Sequence, residues 1–142
     1  DPETGMMAVD RYTVVDDFGN MMNPMLAEGQ VHGGVAQGIG QAVCERVVYD
    51  ADGQLLTATF MDYAMPRATS LPPVQVISQP VRTDSNPLGA KGAGEAGTVG
   101  ALAAVMNAVC DALSSVGAGP IDMPATSQSV WSALQAAGYK KA

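Results

Sequence analysis

The residues best able to do chemistry lie in the stretch Asn86-Pro87-Leu88-Gly89-Ala90-Lys91-Gly92-Ala93-Gly94-Glu95-Ala96-Gly97, where four glycines surround two ionisable side chains, Lys91 and Glu95. A backbone this rich in glycine can wrap closely around a bound group. The apolar segment that follows predicts a helix, whose N-terminus favours negative charge. A carboxylate held there beside a cofactor is what general-base work calls for. A plainer role is open too, in which Glu95 only stabilises the helix start, and spacing alone favours that role.

Gly92 to Gly97 also matches the dinucleotide-binding pattern GxGxxG. That pattern needs a strand immediately ahead and an acidic residue about 20 positions on, at the end of a second strand. Here Asn86-Pro87-Leu88-Gly89 stands in place of the strand, and Asp111 falls within a predicted helix. Lys91 is followed by glycine rather than Ser or Thr, so the stretch is not a P-loop. The nucleotide reading, which predicts NAD or ATP binding by the isolated chain, fails on context.

Other candidates are weaker. His32 has no acid or nucleophile at a recognisable spacing, which points to a structural or cofactor-adjacent role. Gln30, Gln37 and Gln41, spaced seven and four apart, share one face of a predicted helix. Their amides could bind a ligand or be solvated. Met6, Met7, Met21, Met22 and Met25 read as core or interface filling. Cys44 and Cys110 lie far apart in apolar segments, which suits reduced, buried thiols better than a disulfide framework or an iron–sulfur site. One histidine and two separate cysteines make a zinc site on this chain unexpected.

Composition narrows the class. Charged residues are 15% of the 142 and apolar residues 47%, against about 25% charged in a typical soluble domain. This predicts a surface covered by other protein. The formal net charge of −7, with seven scattered Lys and Arg, argues against nucleic acid as a partner. Glycines and polar residues interrupt the apolar runs, so no transmembrane segment is expected. No charged-then-apolar leader is visible either, and an intracellular compartment is expected.

The elements that must position the site follow from local signals. Residues 1–5 read as a turn and residues 6–16, with Val9, Thr13, Val14 and Val15, as a strand. Asn23-Pro24 gives a cap and a proline at the first helical position, predicting a helix over 24–43. That helix holds Gly29, Gly33, Gly34, Gly38 and Gly40, each costing roughly 0.5–1 kcal/mol relative to alanine. Either tight packing or a ligand against the backbone would account for them, and packing is favoured on the glycines alone. Residues 45–49 and 54–60 read as two strands around a turn at Gly53, and residues 74–78 as a third. A helix is predicted over 98–116, with Val99, Leu102, Ala103, Met106, Val109, Cys110 and Leu113 at helical spacing. A last amphipathic helix covers 127–137, with Val130, Trp131 and Leu134 on one face.

Three segments in this order resemble the large, molybdenum-binding subunit of the xanthine oxidase, aldehyde oxidase and carbon monoxide dehydrogenase-like family. They are residues 29–40 (GQVHGGVAQGIG), residues 60–66 (FMDYAMP) and residues 86–97 (NPLGAKGAGEAG), and Asp122-Met123-Pro124-Ala125-Thr126 fits as well. The resemblance implies a C-terminal portion of the molybdopterin-binding domain, spanning residues 1–142. It implies a molybdopterin dinucleotide, the cytosine form being usual in bacteria, whose molybdenum is ligated by no protein side chain. It implies that Glu95 takes the proton from a metal-bound hydroxyl, whose oxygen then attacks an aldehyde, an N-heterocycle or carbon monoxide. Gln30, Lys91, Gly92, Ala93 and Gly94 would then border the cofactor. Two [2Fe–2S] clusters and FAD would sit in partner domains or subunits, the enzyme would be cytoplasmic, and this chain alone would be inactive.

The fold expected is α/β of the α+β type. It has a mixed or antiparallel sheet of three to five strands and about three packed helices, forming one part of a larger subunit. Two functions of different class remain open: an enzyme portion that supplies the base, and an assembly or scaffolding domain of the same ancestry without chemistry. Retention of both Gln30 and Glu95 favours the first.

Overall fold

The computed structural model describes residues 1–139. Helix α1 spans Pro24–Val43. Its cap forms as the sequence demands, the Asn23 side chain accepting the Leu26 N–H at 3.1 Å. Helix α2 spans Ala96–Ser114 and α3 spans Ser127–Ala136. The Thr126 hydroxyl caps α3 by accepting the Ser129 N–H. Three helices were expected and three are present among the described residues.

The sheet is smaller than expected, and of the other sense. β1 (Tyr12–Asp16) and β2 (Val74–Ser78) pair in parallel, Tyr12 opposite Val74 and Asp16 opposite Ser78. This replaces the mixed or antiparallel sheet of three to five strands. The strand expected over 6–16 begins only at Tyr12, while the one over 74–78 forms as expected. α1 lies in the crossover between the two, as parallel pairing requires.

The expected strands at 45–49 and 54–60 reduce to a turn with a single bridge, Tyr49 to Leu55. Asp50 organises the turn, accepting the N–H groups of Asp52 and Gln54, and Gly53 takes its positive φ of 83°. Leu56 donates to the Val48 carbonyl, but the Val48 N–H goes to the Thr57 hydroxyl at 3.1 Å instead of to a backbone carbonyl. That side chain ends the ladder locally.

α1 and α2 form the core by direct backbone approach. A Cβ added at Gly34 would lie 2.7 Å from the Thr98 nitrogen, and one at Gly97 would lie 2.4 Å from the Val31 carbonyl oxygen. At Gly38 it would lie 2.5 Å from the Ala101 Cβ, and at Gly40 it would meet Glu45 and Pro66. Gly34, Gly38 and Gly40 therefore serve packing. Gly29 and Gly33, by contrast, have nothing within 4 Å. Around the crossing Val31 and Val35 are fully buried, with Ile39 and Ala42 beside them.

α2 buries Gly97, Ala101, Val105, Val109 and Leu113, a stripe of every fourth residue. Val99, expected on the apolar face, is 69% exposed. On α3, Val130 and Leu134 are buried while Trp131 is 42% exposed. α2 also corrects the expectation that every apolar run is too short for a bilayer. It is the one helix among the described residues long and apolar enough to cross a membrane. Core helices share those features, and the buried stripe of α2 is spent on α1.

Candidate functional site

The strand-end loop 17–20 and the loop 86–91 are laid side by side. Asp17 opens the first. Its Oδ1 accepts the Gly19 N–H at 2.9 Å and the Val81 N–H at 2.8 Å, and its Oδ2 accepts the Lys91 ammonium. These three donors, Lys91 first, pull the Asp17 carboxyl from its ordinary 3.8 down to about 2. Gly19 and Ala90 form an antiparallel bridge, with Lys91 N–H on the Phe18 carbonyl at 2.9 Å and Asn20 N–H on the Gly89 carbonyl at 2.9 Å. Asn20 Nδ2 donates to the Leu88 carbonyl, and Asn86 Nδ2 donates to that of Ala90. Gly19 (φ 60°) and Gly89 (φ 65°) permit the turns, and a Cβ on Gly19 would strike the Gly89 carbonyl oxygen at 2.2 Å.

Beyond Lys91 the loop leaves this clamp. Gly92 and Gly94 have open space where a Cβ would sit. Glu95 follows as the N-cap residue of α2, with its carbonyl accepting the Thr98 and Val99 N–H groups at 3.1 Å. Its side chain makes no capping hydrogen bond and is exposed. No side-chain cap hydrogen bond ties Glu95 to the helix start, and Lys91 is turned to Asp17.

The expected cofactor-binding residues converge in part. Gln30, Lys91 and Ala93 line one cleft of about 280 Å³, together with Phe18, Met22 and Leu26. Gly92, Gly94 and Glu95 are exposed on the loop that continues from it. Gln37 is tied to the α2 start instead, through a 3.1 Å hydrogen bond from the Thr98 hydroxyl. Gln30, Gln37 and Gln41 are all exposed, as is His32.

Sequence reasoning missed Asp17. The readable signal was Asp17-Phe18-Gly19, the spacing at which an aspartate turns back on the N–H two residues ahead. Its partners at 81 and 91 are separated by 64 and 74 residues, and no local pattern reports them. Cys44 and Cys110 are free and half-buried.

Comparisons with known proteins bear on the same residues. A family model described as "Molybdopterin cofactor-binding domain" matches residues 1–72. The match lies at the N-terminal end of the chain and does not show the chain to be the C-terminal part of a subunit. The nicotine 6-hydroxylase large subunit of Paenarthrobacter nicotinovorans is 42% identical over 130 residues, 92% of this chain and 16% of that protein. The carbon monoxide dehydrogenase large chain of Hydrogenophaga pseudoflava is 39% identical over 135 residues, 95% of this chain and 17% of that protein. Reconstituted CO dehydrogenase from Oligotropha carboxidovorans superposes with a TM-score of 0.91 at 36% identity, covering 97% of this chain and 17% of that one. The chain thus spans 16–17% of the length of the curated relatives it is compared with.

Proposed function

The chain belongs to the molybdopterin cofactor-binding domain family, and from that premise we propose that it forms one part of a molybdenum hydroxylase site in which Glu95 is the general base. The observation that carries the proposal is the loop 91–95. It is clamped at Lys91, open at Gly92 and Gly94, and ends on a carboxylate that no cap hydrogen bond occupies.

The residues fit such a cofactor. Open positions at Gly92 and Gly94 leave backbone accessible to a closely approaching group, and the cleft between Gln30 and Lys91 offers an amide edge beside apolar walls. Gln30, Lys91, Gly92, Ala93 and Gly94 would hold the pterin. When bound, the molybdenum centre supplies the two-electron oxidation of substrate. The chain's own contribution is proton handling: Glu95, the N-cap residue of α2, accepts a proton at its carboxylate from the oxygen nucleophile.

The proposal includes the cytosine dinucleotide form of the cofactor and a substrate that is an aldehyde, an N-heterocycle or carbon monoxide. It also includes [2Fe–2S] and FAD partner domains or subunits, a cytoplasmic setting, and no turnover by the isolated chain. The names "large subunit" and "large chain" borne by the relatives support partner subunits. So do the two-stranded parallel sheet, which is marginal alone, and exposed apolar side chains such as Phe60 (84%) and Met61 (93%). The test is Glu95→Gln in the complete enzyme, with molybdenum content and steady-state turnover measured on the same preparation. Retained molybdenum with turnover lowered by about 10²–10⁴-fold supports the base, and normal turnover refutes it.

A further inference from the structure

We propose that Asp17 is a positioning residue for the loop 91–94: by holding the Lys91 ammonium and the Gly19 and Val81 backbone together, it presents that loop to the cofactor as a fixed edge.

The inference rests on the cofactor reading above but draws on different residues. Asp17 sits one position past β1, on the element that starts the fold. Its carboxylate accepts from one ammonium and two backbone N–H donors, the local Gly19 and the distant Val81 and Lys91, 64 and 74 residues on. The pair with Lys91 is the one salt bridge among the described residues. The loop is then fixed at both ends. Upstream, Lys91 is held through its side chain by Asp17 and through its N–H by the Phe18 carbonyl. Downstream, Gly97 is pressed against Gly34. Between these anchors Gly92, Gly94 and Glu95 are exposed, while Ala93 and Ala96 pack against the core.

Lys91 lines the cleft shared with Gln30 while its charge is already spent on Asp17. Its role is therefore to fix the backbone rather than to meet an anionic ligand with a free ammonium. The low Asp17 pKa keeps this clamp charged at any neutral pH. Small displacements of a site edge are costly to positioning, about 100-fold in rate for 1 Å.

The experiment compares Asp17→Asn, Asp17→Glu, Lys91→Met and the Asp17→Asn/Lys91→Met double variant in the complete subunit. Hydrogen exchange at Lys91 and Asn20, whose N–H groups bond the Phe18 and Gly89 carbonyls across the clamp, molybdenum and pterin content, and kcat and KM per bound molybdenum are measured. Asp17→Asn and Lys91→Met should each speed exchange at both amides by about 10-fold, as expected for loss of a local anchor. Each should lower cofactor content, and the double variant should be no worse than the poorer single. Asp17→Glu should restore most of the content, and kcat per molybdenum should fall with KM nearly unchanged. Wild-type exchange in Asp17→Asn, or losses that multiply in the double variant, would overturn the proposal. Faster exchange without cofactor loss would also overturn it, leaving Asp17 as a structural residue alone. Failure of Glu95 as the base would appear only in turnover of Glu95→Gln and would leave these exchange and content results standing.

Discussion

Gly34 of α1 and Gly97 of α2 meet backbone to backbone, with the Gly97 Cα 2.9 Å from where a Gly34 Cβ would stand. Gly97 is two residues beyond Glu95, so this crossing sets the carboxylate's position relative to α1. Alanine at Gly34 must push the helices apart. Gly34→Ala is expected to destabilise by about 1–3 kcal/mol, in the range of overpacked cores. Gly33→Ala, into open space, is expected to stabilise by about 0.5–1 kcal/mol through helix propensity. Urea denaturation of the two variants checks the contrast, and equal effects would contradict the crossing.

The Asn23 cap yields a second prediction. Its side chain holds the Leu26 N–H, so Asn23→Ala should cost about 1 kcal/mol while Asn23→Asp should cost little. Denaturant midpoints compare the two directly.

The Asp17 clamp has a defined pH window. A carboxyl whose folded pKa lies below its unfolded value stabilises the fold fully above the unfolded value, and loses that effect as pH falls through the folded one. For Asp17 these bounds are 3.8 and about 2. NMR titration of the Asp17 carboxyl should give a midpoint near the lower bound, and Lys91→Met should raise it toward 3.8. An unchanged midpoint in Lys91→Met would contradict the pairing.

Cys44 should be a sluggish thiol. Burial first, and the neighbouring Glu45 charge second, push it above its ordinary 9.0. Fewer thiolates are then present at pH 8, and iodoacetamide should react more slowly than with a cysteine peptide. Reaction at the peptide's rate would contradict this environment.

Local signals carried most of the helical fold. Asn23-Pro24 is chemistry of adjacent residues, and α1 formed over the expected span. The same holds for Gly53 and its turn. The sheet was less legible because strand formation depends on partners. Residues 45–49 and 54–60 have strand composition, yet the Thr57 hydroxyl takes the Val48 N–H and the ladder stops. In the site, Glu95 and its glycines stood out by residue type. Asp17 did not, since its meaning depends on Lys91, 74 residues away. The α1 glycines needed geometry as well: Gly34 and Gly33 are adjacent letters, but one is packed and the other open.

The assignment of Glu95 as the base is tested most directly by anaerobic single turnover of the complete enzyme, wild type against Glu95→Gln at equal molybdenum content. The rate of enzyme reduction by substrate should fall by about 10²–10⁴-fold in the variant, with pterin content unchanged. Reduction at the wild-type rate would contradict it.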